Sequence, residues 1–275
     1  MTHNNQKKIA AINDFSGFGR CSLAVELPII SALKVQCCPV PTSIFSNHTG
    51  FESFFFDDYT DRMNAYIQEW DKLGLKFDGI CTGFLGSVQQ IEIVEDFIQS
   101  FKKNQAVVIV DPVMGDYGKM YATYTSDMCQ EMKKLVRFAD IVTPNLTEAC
   151  VLADEEYHEN WSKKDLMKLA EKISAMGPEK VVITGIAQGQ FVANFCFEKG
   201  REGYLIRTVK VGTQRSGTGD IFASIIAADA VNGVNFHESV RKASTFIKKC
   251  ILKSIELDIP LTDGVCFEEL LTTLK

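Results

Sequence analysis

Five consecutive residues, Ser216-Gly217-Thr218-Gly219-Asp220, set two glycines, two hydroxyls and a carboxylate directly ahead of an apolar, alanine-rich stretch. Glycine permits the positive φ of a tight turn, and the amides of Gly217, Thr218 and Gly219 can converge on an anion where a helix starts. Asp220 would then stand beside that anion, where a carboxylate can take the proton of an alcohol during phosphoryl transfer. The same letters also suit a plain turn followed by an acid favoured by the helix dipole.

Other corners carry chemistry of a matching kind. In "VDPVMGDYGKMY" (110–121), Asp111 ends an apolar run, and Gly115, Asp116 and Gly118 mark a loop exposing a second carboxylate. Two such acids could hold a hydrated magnesium ion beside a polyphosphate, or simply form an Asp-Pro turn. In "TPNLTEAC" (143–150), Asn145 or Thr147 can cap a helix with Glu148 in its first turn, and Asn145 and Glu148 could instead face the metal and phosphates. Thr184, closing "VITG", could offer a hydroxyl to a phosphate oxygen or serve only as β packing. The loop "PTSIFSNHTGFESFFF" (41–56) gathers Phe45, Asn47, His48 and Thr49 among aromatics, a set suited to a flat heteroaromatic ligand. His48 could equally be a hydrogen-bonded structural histidine, and packing is the expected role of the phenylalanines at 51–56.

These corners need a scaffold that brings them to one edge. Short apolar runs at 8–13, 35–40, 77–83, 106–111, 140–145 and 181–186 have the few polar positions of strands covered on both faces. Helical patterns fall at 21–34, 58–73, 87–103, 127–137, 147–153, 162–176, 219–232, 237–256 and 265–274. Alternating segments at 190–198 and 203–211 predict a hairpin attached to the sheet. The β/α rhythm predicts an α/β fold of three layers, a mostly parallel central sheet covered by helices on both faces, with ligands gathering at strand-to-helix corners. No repeat or linker divides the chain, so residues 1–275 are expected to form one domain.

Composition removes several alternatives. The chain has 275 residues, 46% of them hydrophobic, and a formal net charge of -6 without a basic run, so no nucleic-acid partner is expected. Nine cysteines without a CxxC pair predict reduced thiols, and no segment has the apolar length of a signal core or membrane span, so a cytoplasmic protein is expected. There is no GxxxxGK[ST], HExxH or GxSxG, and the glycine-rich "NDFSGFGRCS" (13–22) lacks the spacing of a dinucleotide fingerprint.

Together, "SNHTG" (46–50), "DPVMGDYGKMY" (111–121), "TPNLTEA" (143–149), "VVIT" (181–184) and "GTGD" (217–220) resemble the pyridoxal kinase family within the ribokinase-like superfamily. The resemblance implies a ribokinase-like fold and ATP-dependent phosphorylation of the 5'-hydroxymethyl group of pyridoxal, pyridoxine or pyridoxamine. It implies Asp220 as base, with Gly217, Thr218 and Gly219 as anion hole. Asp111, Asn145 and Glu148 would organise Mg2+ and phosphates, with Asp111 and Glu148 as the metal-side carboxylates. Asp116, Tyr121 and Thr184 would contact or cover the nucleotide. Phe45, His48 and Thr49 would line the ring pocket opposite Thr82 to Phe84, while Asn13, Asp14 and Ser16 compete for a ring contact. ATP, Mg2+ and a B6 vitamer are the implied ligands, a monovalent cation such as K+ stays open, and a homodimer is implied. A hydroxymethylpyrimidine kinase of thiamine synthesis and a non-catalytic B6-binding protein are the competing readings; the first usually carries Cys where this chain has Asp220.

Overall fold

The computed structural model describes residues 4–102 and 105–274. Six parallel strands form the centre: β1 (Lys8–Phe18), β2 (Gln36–Asn47), β4 (Gly79–Thr82), β5 (Val107–Val110), β8 (Ile141–Val142) and β9 (Lys180–Gln188). Antiparallel strands extend both edges, β3 (Phe56–Asp58) beside β2, and the hairpin β10 (Phe191–Glu198) and β11 (Tyr204–Val209) beside β9. The order is β11-β10-β9-β8-β5-β4-β1-β2-β3, and a small separate ribbon joins β6 (Gly115–Asp116) to β7 (Lys119–Met120).

Side chains alternate across a strand, so each apolar strand feeds two cores. Ala10, Ile80, Val108 and Val181 enter one layer, with α2 (Thr60–Lys72), α3 (Val88–Phe101), α4 (Ser126–Val136), α5 (Leu146–Ala153) and α6 (Lys163–Met176). Their sequence neighbours Ile9, Cys81, Ile109 and Val182 enter the other, with α1 (Leu23–Ala32), α7 (Thr218–Asn232) and α8 (Phe236–Glu256). Both layers contain side chains wholly removed from water, each worth roughly 1.5–3 kcal/mol for a large aliphatic residue. The three-layer α/β architecture expected from the sequence is therefore present, including the attached hairpin.

Two departures matter for the site. First, β1 and β2 run five to seven residues beyond their expected ends. Only Ile9 to Ile12 of β1 pair with β4, so the remainder of β1 pairs with β2 alone and, with β3, forms a flap standing past the sheet edge. A register shift between Asn13 and Phe15 turns consecutive residues Asn13 and Asp14 both inward. Second, the expected helix at 265–274 is not an α-helix: Val265, Cys266 and Phe267 are buried, and only a 3-10 turn, Glu268–Thr273, follows. Burying three successive residues favours extended chain over a one-sided helix. Lys103, in the expected span of α3, lies outside the described residues.

Candidate active site

Helix α7 is apolar on nearly every side, as befits a helix inside the core, and Gly217 is its N-cap with no side-chain cap. The amides of Thr218 and Gly219 therefore have no N-cap side chain to pair with at the sheet edge. Gly217 has φ 87°, and a Cβ there would lie 2.2 Å from the carbonyl oxygen of Arg20, so no other residue fits the turn. Gly219 is exposed, and a Cβ on it would meet only Asp111 Oδ2 at 3.9 Å, leaving open space over the helix start. Arg215 holds this turn in place by donating to the carbonyls of Ile259 and Pro260 at 2.8 and 2.9 Å.

Asp220, in the first turn of α7, is partly exposed. Asn13 Nδ2 donates to its Oδ1 at 3.4 Å, and the Ser22 N–H also bonds to the carboxylate. Burial pushes its carboxyl above the ordinary aspartate range, and those two donors oppose the rise. Beside it, Asp14 accepts from Ser22 Oγ at 2.6 Å and Ser16 Oγ at 3.0 Å, and burial lifts it to about 6. Asp14 and Ser16 are thus paired with each other within β1. Burial and then Asp220 and Asp14 push the Cys21 thiol up to about 12, which disfavours its thiolate.

The third acid, Asp111, follows β5 and accepts from Thr143 Oγ1 at 3.3 Å. Burial raises its carboxyl well above the ordinary range, and the charges of Glu148 and Asp220 raise it further. Asn145 and Glu148 form a reciprocal capping box on α5: the Asn145 side chain accepts from the Glu148 N–H at 3.0 Å, and Glu148 Oε2 accepts from the Asn145 N–H at 2.8 Å. Glu148 Oε1 accepts from Met114 N at 3.1 Å, and Asn145 Nδ2 donates to Gly115 O at 2.7 Å. Burial lifts Glu148 to about 8. Thr184 donates to Pro144 O through its N–H at 2.8 Å and its hydroxyl at 3.4 Å.

Among the described residues, no three His, Cys, Asp or Glu side chains form a ligating cluster. Both oxygens of Glu148 are engaged by backbone amides, whereas Asp111 faces the open helix start under like-charge pressure. That chemistry fits a hydrated Mg2+ arriving with a polyphosphate, not a cage built by protein alone.

Asp116 and Tyr121 lie in and after the ribbon β6–β7. Asp116 Oδ2 accepts from Gln214 Nε2 at 2.9 Å, and the Tyr117 hydroxyl donates to Gln214 Oε1, so Gln214 bridges this ribbon to the loop before α7. Tyr121 is 43% exposed. The expected ring-side residues occupy the flap and the loop facing it. Phe45 is buried against Phe54 and Phe56, and His48 Nε2 bonds the carbonyl of Thr262 at 2.7 Å with its ring against Phe51. Thr49 is exposed. Phe84 donates its N–H to Asn13 Oδ1 at 2.9 Å and accepts from Thr42 Oγ1 at 3.1 Å.

Three participants escaped the motif reading. Ser22 and Gln214 offered no signal beyond being polar in loops. Glu26 did, as the single acid within "LAVELPIISA". A cavity of about 550 Å³ lies at the opposite sheet edge, near Lys102, Asp140, Lys180 and Phe236, and shares no residue with this site.

An anion-ready helix start beside a carboxylate, at the carboxyl edge of a parallel sheet with a strand flap, defines a kinase of the ribokinase-like class. The phosphomethylpyrimidine kinase model matches residues 26–261, and the chain belongs to that family. A Bacteroides thetaiotaomicron protein, assigned provisionally as a phosphomethylpyrimidine kinase, is 36% identical, with TM-score 0.97 over 100% of this chain and 96% of its own. A second crystal form of that protein, with pyridoxal, superposes with TM-score 0.94. A Schizosaccharomyces pombe protein, provisionally a pyridoxal kinase, is 29% identical over 203 residues, 69% of this chain. The Arabidopsis thaliana chloroplastic thiamine biosynthetic bifunctional enzyme is 25% identical over 243 residues, 86% of this chain. The aligned regions span 57% and 44% of those two relatives. The resemblance to pyridoxal kinases read from the motifs is borne out by these relatives.

Proposed function

We propose that the chain, acting as one kinase domain, phosphorylates the 5'-hydroxymethyl group of a B6 vitamer with ATP. The observation that carries the chemistry is Asp220, held by Asn13 and the Ser22 N–H one turn-residue away from uncapped amides. In this reading the amides at 217–219 bind the transferring γ-phosphoryl, and Asp220 takes the hydroxyl proton as the new O–P bond forms and the bond from the γ-phosphorus to the β–γ bridging oxygen breaks, releasing ADP. Mg2+, when bound with the nucleotide, would neutralise phosphate charge. Asp111 would orient its water shell, and Glu148 would hold the Met114 and Asn145 backbone beneath it.

Asp116 and Tyr121 would close over the nucleotide and exclude water. Thr184 would present its hydroxyl to the same phosphates. Phe45, His48, Thr49 and Phe84 would frame the pyridine ring, with Asp14 and Ser16 supporting the loop beneath it. Phe54, Phe55 and Phe56 are 45%, 65% and 46% exposed on the flap, which favours its burial against a second copy in a homodimer. Cytoplasmic residence accords with nine free cysteines. No described helix is long and apolar enough to cross a membrane.

The pyridoxal found with the 36%-identical Bacteroides protein supports a vitamer as the alcohol. The family model and the thiamine relative favour hydroxymethylpyrimidine as the alternative. Parallel assays of pyridoxal, pyridoxine, pyridoxamine and hydroxymethylpyrimidine with Mg-ATP, following each phosphate ester, test both. Turnover of hydroxymethylpyrimidine alone would replace the vitamer reading, and no ATP-dependent turnover of any would leave a binding protein.

A further inference from the structure

Glu26 sits on α1 at 1% exposure, behind the base and outside every role above. Its Oε1 accepts from Asn13 Nδ2 at 3.0 Å, and its Oε2 is buried without a hydrogen-bond partner in the structure. The same Asn13 nitrogen donates to Asp220 Oδ1. Asn13 Oδ1 accepts from the N–H groups of Asp14 and Phe84, each at 2.9 Å. This arrangement fixes the amide's direction. Turned over, it would point its oxygen at two carboxylates and its NH2 at two N–H donors.

A buried carboxylate is costly unless its hydrogen bond matters, and nothing in the local packing calls for one. Its buried helix neighbours Val25, Ile29 and Ile30 are aliphatic. The strongest charges acting on Glu26 from other elements are the acids Asp220, Asp14 and Asp111, and its one hydrogen bond from another side chain among the described residues comes from a neutral amide. Among the described residues, the one partner of its carboxylate is the amide that also holds Asp220.

We propose that Glu26 is a positioning residue: by fixing the Asn13 amide, it holds the Asp220 carboxylate toward the acceptor alcohol and ties that orientation to the Phe84 loop. The Glu26–Asn13 bond forms whether or not Glu26 is ionised, because Oε1 acts only as acceptor. The proposal rests on the reading of Asp220 as base, and not on which alcohol is phosphorylated.

Two variants test it. Glu26→Met keeps the volume and deletes the acceptor, while Glu26→Gln keeps an acceptor oxygen. With Mg-ATP and whichever alcohol the wild type phosphorylates, Glu26→Met should lower kcat about 10-fold, with KM for ATP within about twofold. Glu26→Gln should recover kcat to within about threefold. A purely structural residue would instead lower melting temperature and active fraction in both, without this split. The proposal is overturned by a folded Glu26→Met with kcat within about twofold of wild type, or by equal impairment of both variants.

Should Glu26→Met not fold, Asn13→Asp probes the other end of the bridge with unchanged shape. In the folded protein it should lose at least about 10-fold in kcat, and kcat within about twofold would overturn the proposal. Asp220→Asn measured alongside separates the two readings. Normal turnover in Asp220→Asn removes the base itself, whereas an inactive Asp220→Asn with an unaffected Glu26→Met removes only the positioning role.

Discussion

The two ends of this site are built by different means. At the phosphate end, the motifs themselves are local, and long-range bonds such as Glu148 to Met114 and Gln214 to Asp116 only tie them together: a glycine turn starts α7, a capping box starts α5, and Asp111 follows β5. At the ring end, contacts join residues far apart in the chain. Asn13 meets Phe84 and Asp220, His48 meets Thr262, and Gln90 donates to Thr42 O at 2.9 Å, Thr60 Oγ1 at 2.8 Å and Asp58 Oδ1 at 3.2 Å. A nucleotide's phosphates are common to every kinase of this class, so a locally encoded cradle suffices. The alcohol is what distinguishes relatives, and its pocket sits on strands that overhang the sheet, where sequence change costs the core least.

If that contrast is right, injury to the phosphate end should abolish turnover, whereas injury to the ring end should change substrate affinity. The largest effect belongs to Asp220→Asn, which keeps shape and removes the base. It should lower kcat by about 100-fold or more, with ATP and alcohol binding retained, as read by steady-state kinetics and equilibrium titration. Near-normal kcat would dissolve the distinction at its strongest point. Next comes Gly217→Ala. A left-handed backbone costs an alanine about 1–2 kcal/mol, and its Cβ would strike the Arg20 carbonyl. Turnover should fall at least about 10-fold, with a lower melting temperature, because the amides move off the phosphoryl position.

What the sequence made legible follows the same division. "GTGD", the Asn145–Glu148 cap and the parallel core strands obey short-range rules, so their residues could be named and their elements bounded within a few positions. The flap could not. Beyond Ile12 the chain reads "NDFSGF", whose glycine and mixed polarity signal a loop, and only pairing with β2 makes it a strand. The helix expected at 265–274 failed for a related reason, since Val265, Cys266 and Phe267 are all buried and no one-sided helix could bury three successive residues. Glu26 carried a visible sign, one acid in an apolar helix, but its partner Asn13 lies 13 residues earlier on another element.

Gln90 sharpens the comparison from the ring side. It is fully buried in α3, and its Oε1 accepts from Gly86 N at 2.7 Å, so one side chain fixes the flap and the Phe84 loop together. Gln90→Leu keeps the volume and leaves the Gly86 N–H without the Gln90 acceptor, a loss of about 1–3 kcal/mol, while the Thr42 carbonyl keeps the Tyr59 N–H at 3.1 Å. KM for the alcohol should rise about 3- to 10-fold, while KM for ATP stays within about twofold. Equal rises for both substrates would show that the two ends are not separable.

The smallest expected effect concerns stability and lies where the two ends meet. Burial, then Asp220, lifts Glu26 from 4.5 to about 8. Between those values the folded chain holds a proton that the unfolded chain has released, so folding stability declines as pH rises through that window. The decline is the cost of ionising a carboxylate behind Asp220. Glu26→Gln has no proton to lose there, so its melting temperature should fall less than that of wild type between pH 5 and pH 8, by about a few degrees. Parallel melting curves across the window check this. Identical slopes would mean that Glu26 reaches water when charged, and a carboxylate free to do so could not hold Asn13 rigidly against the base.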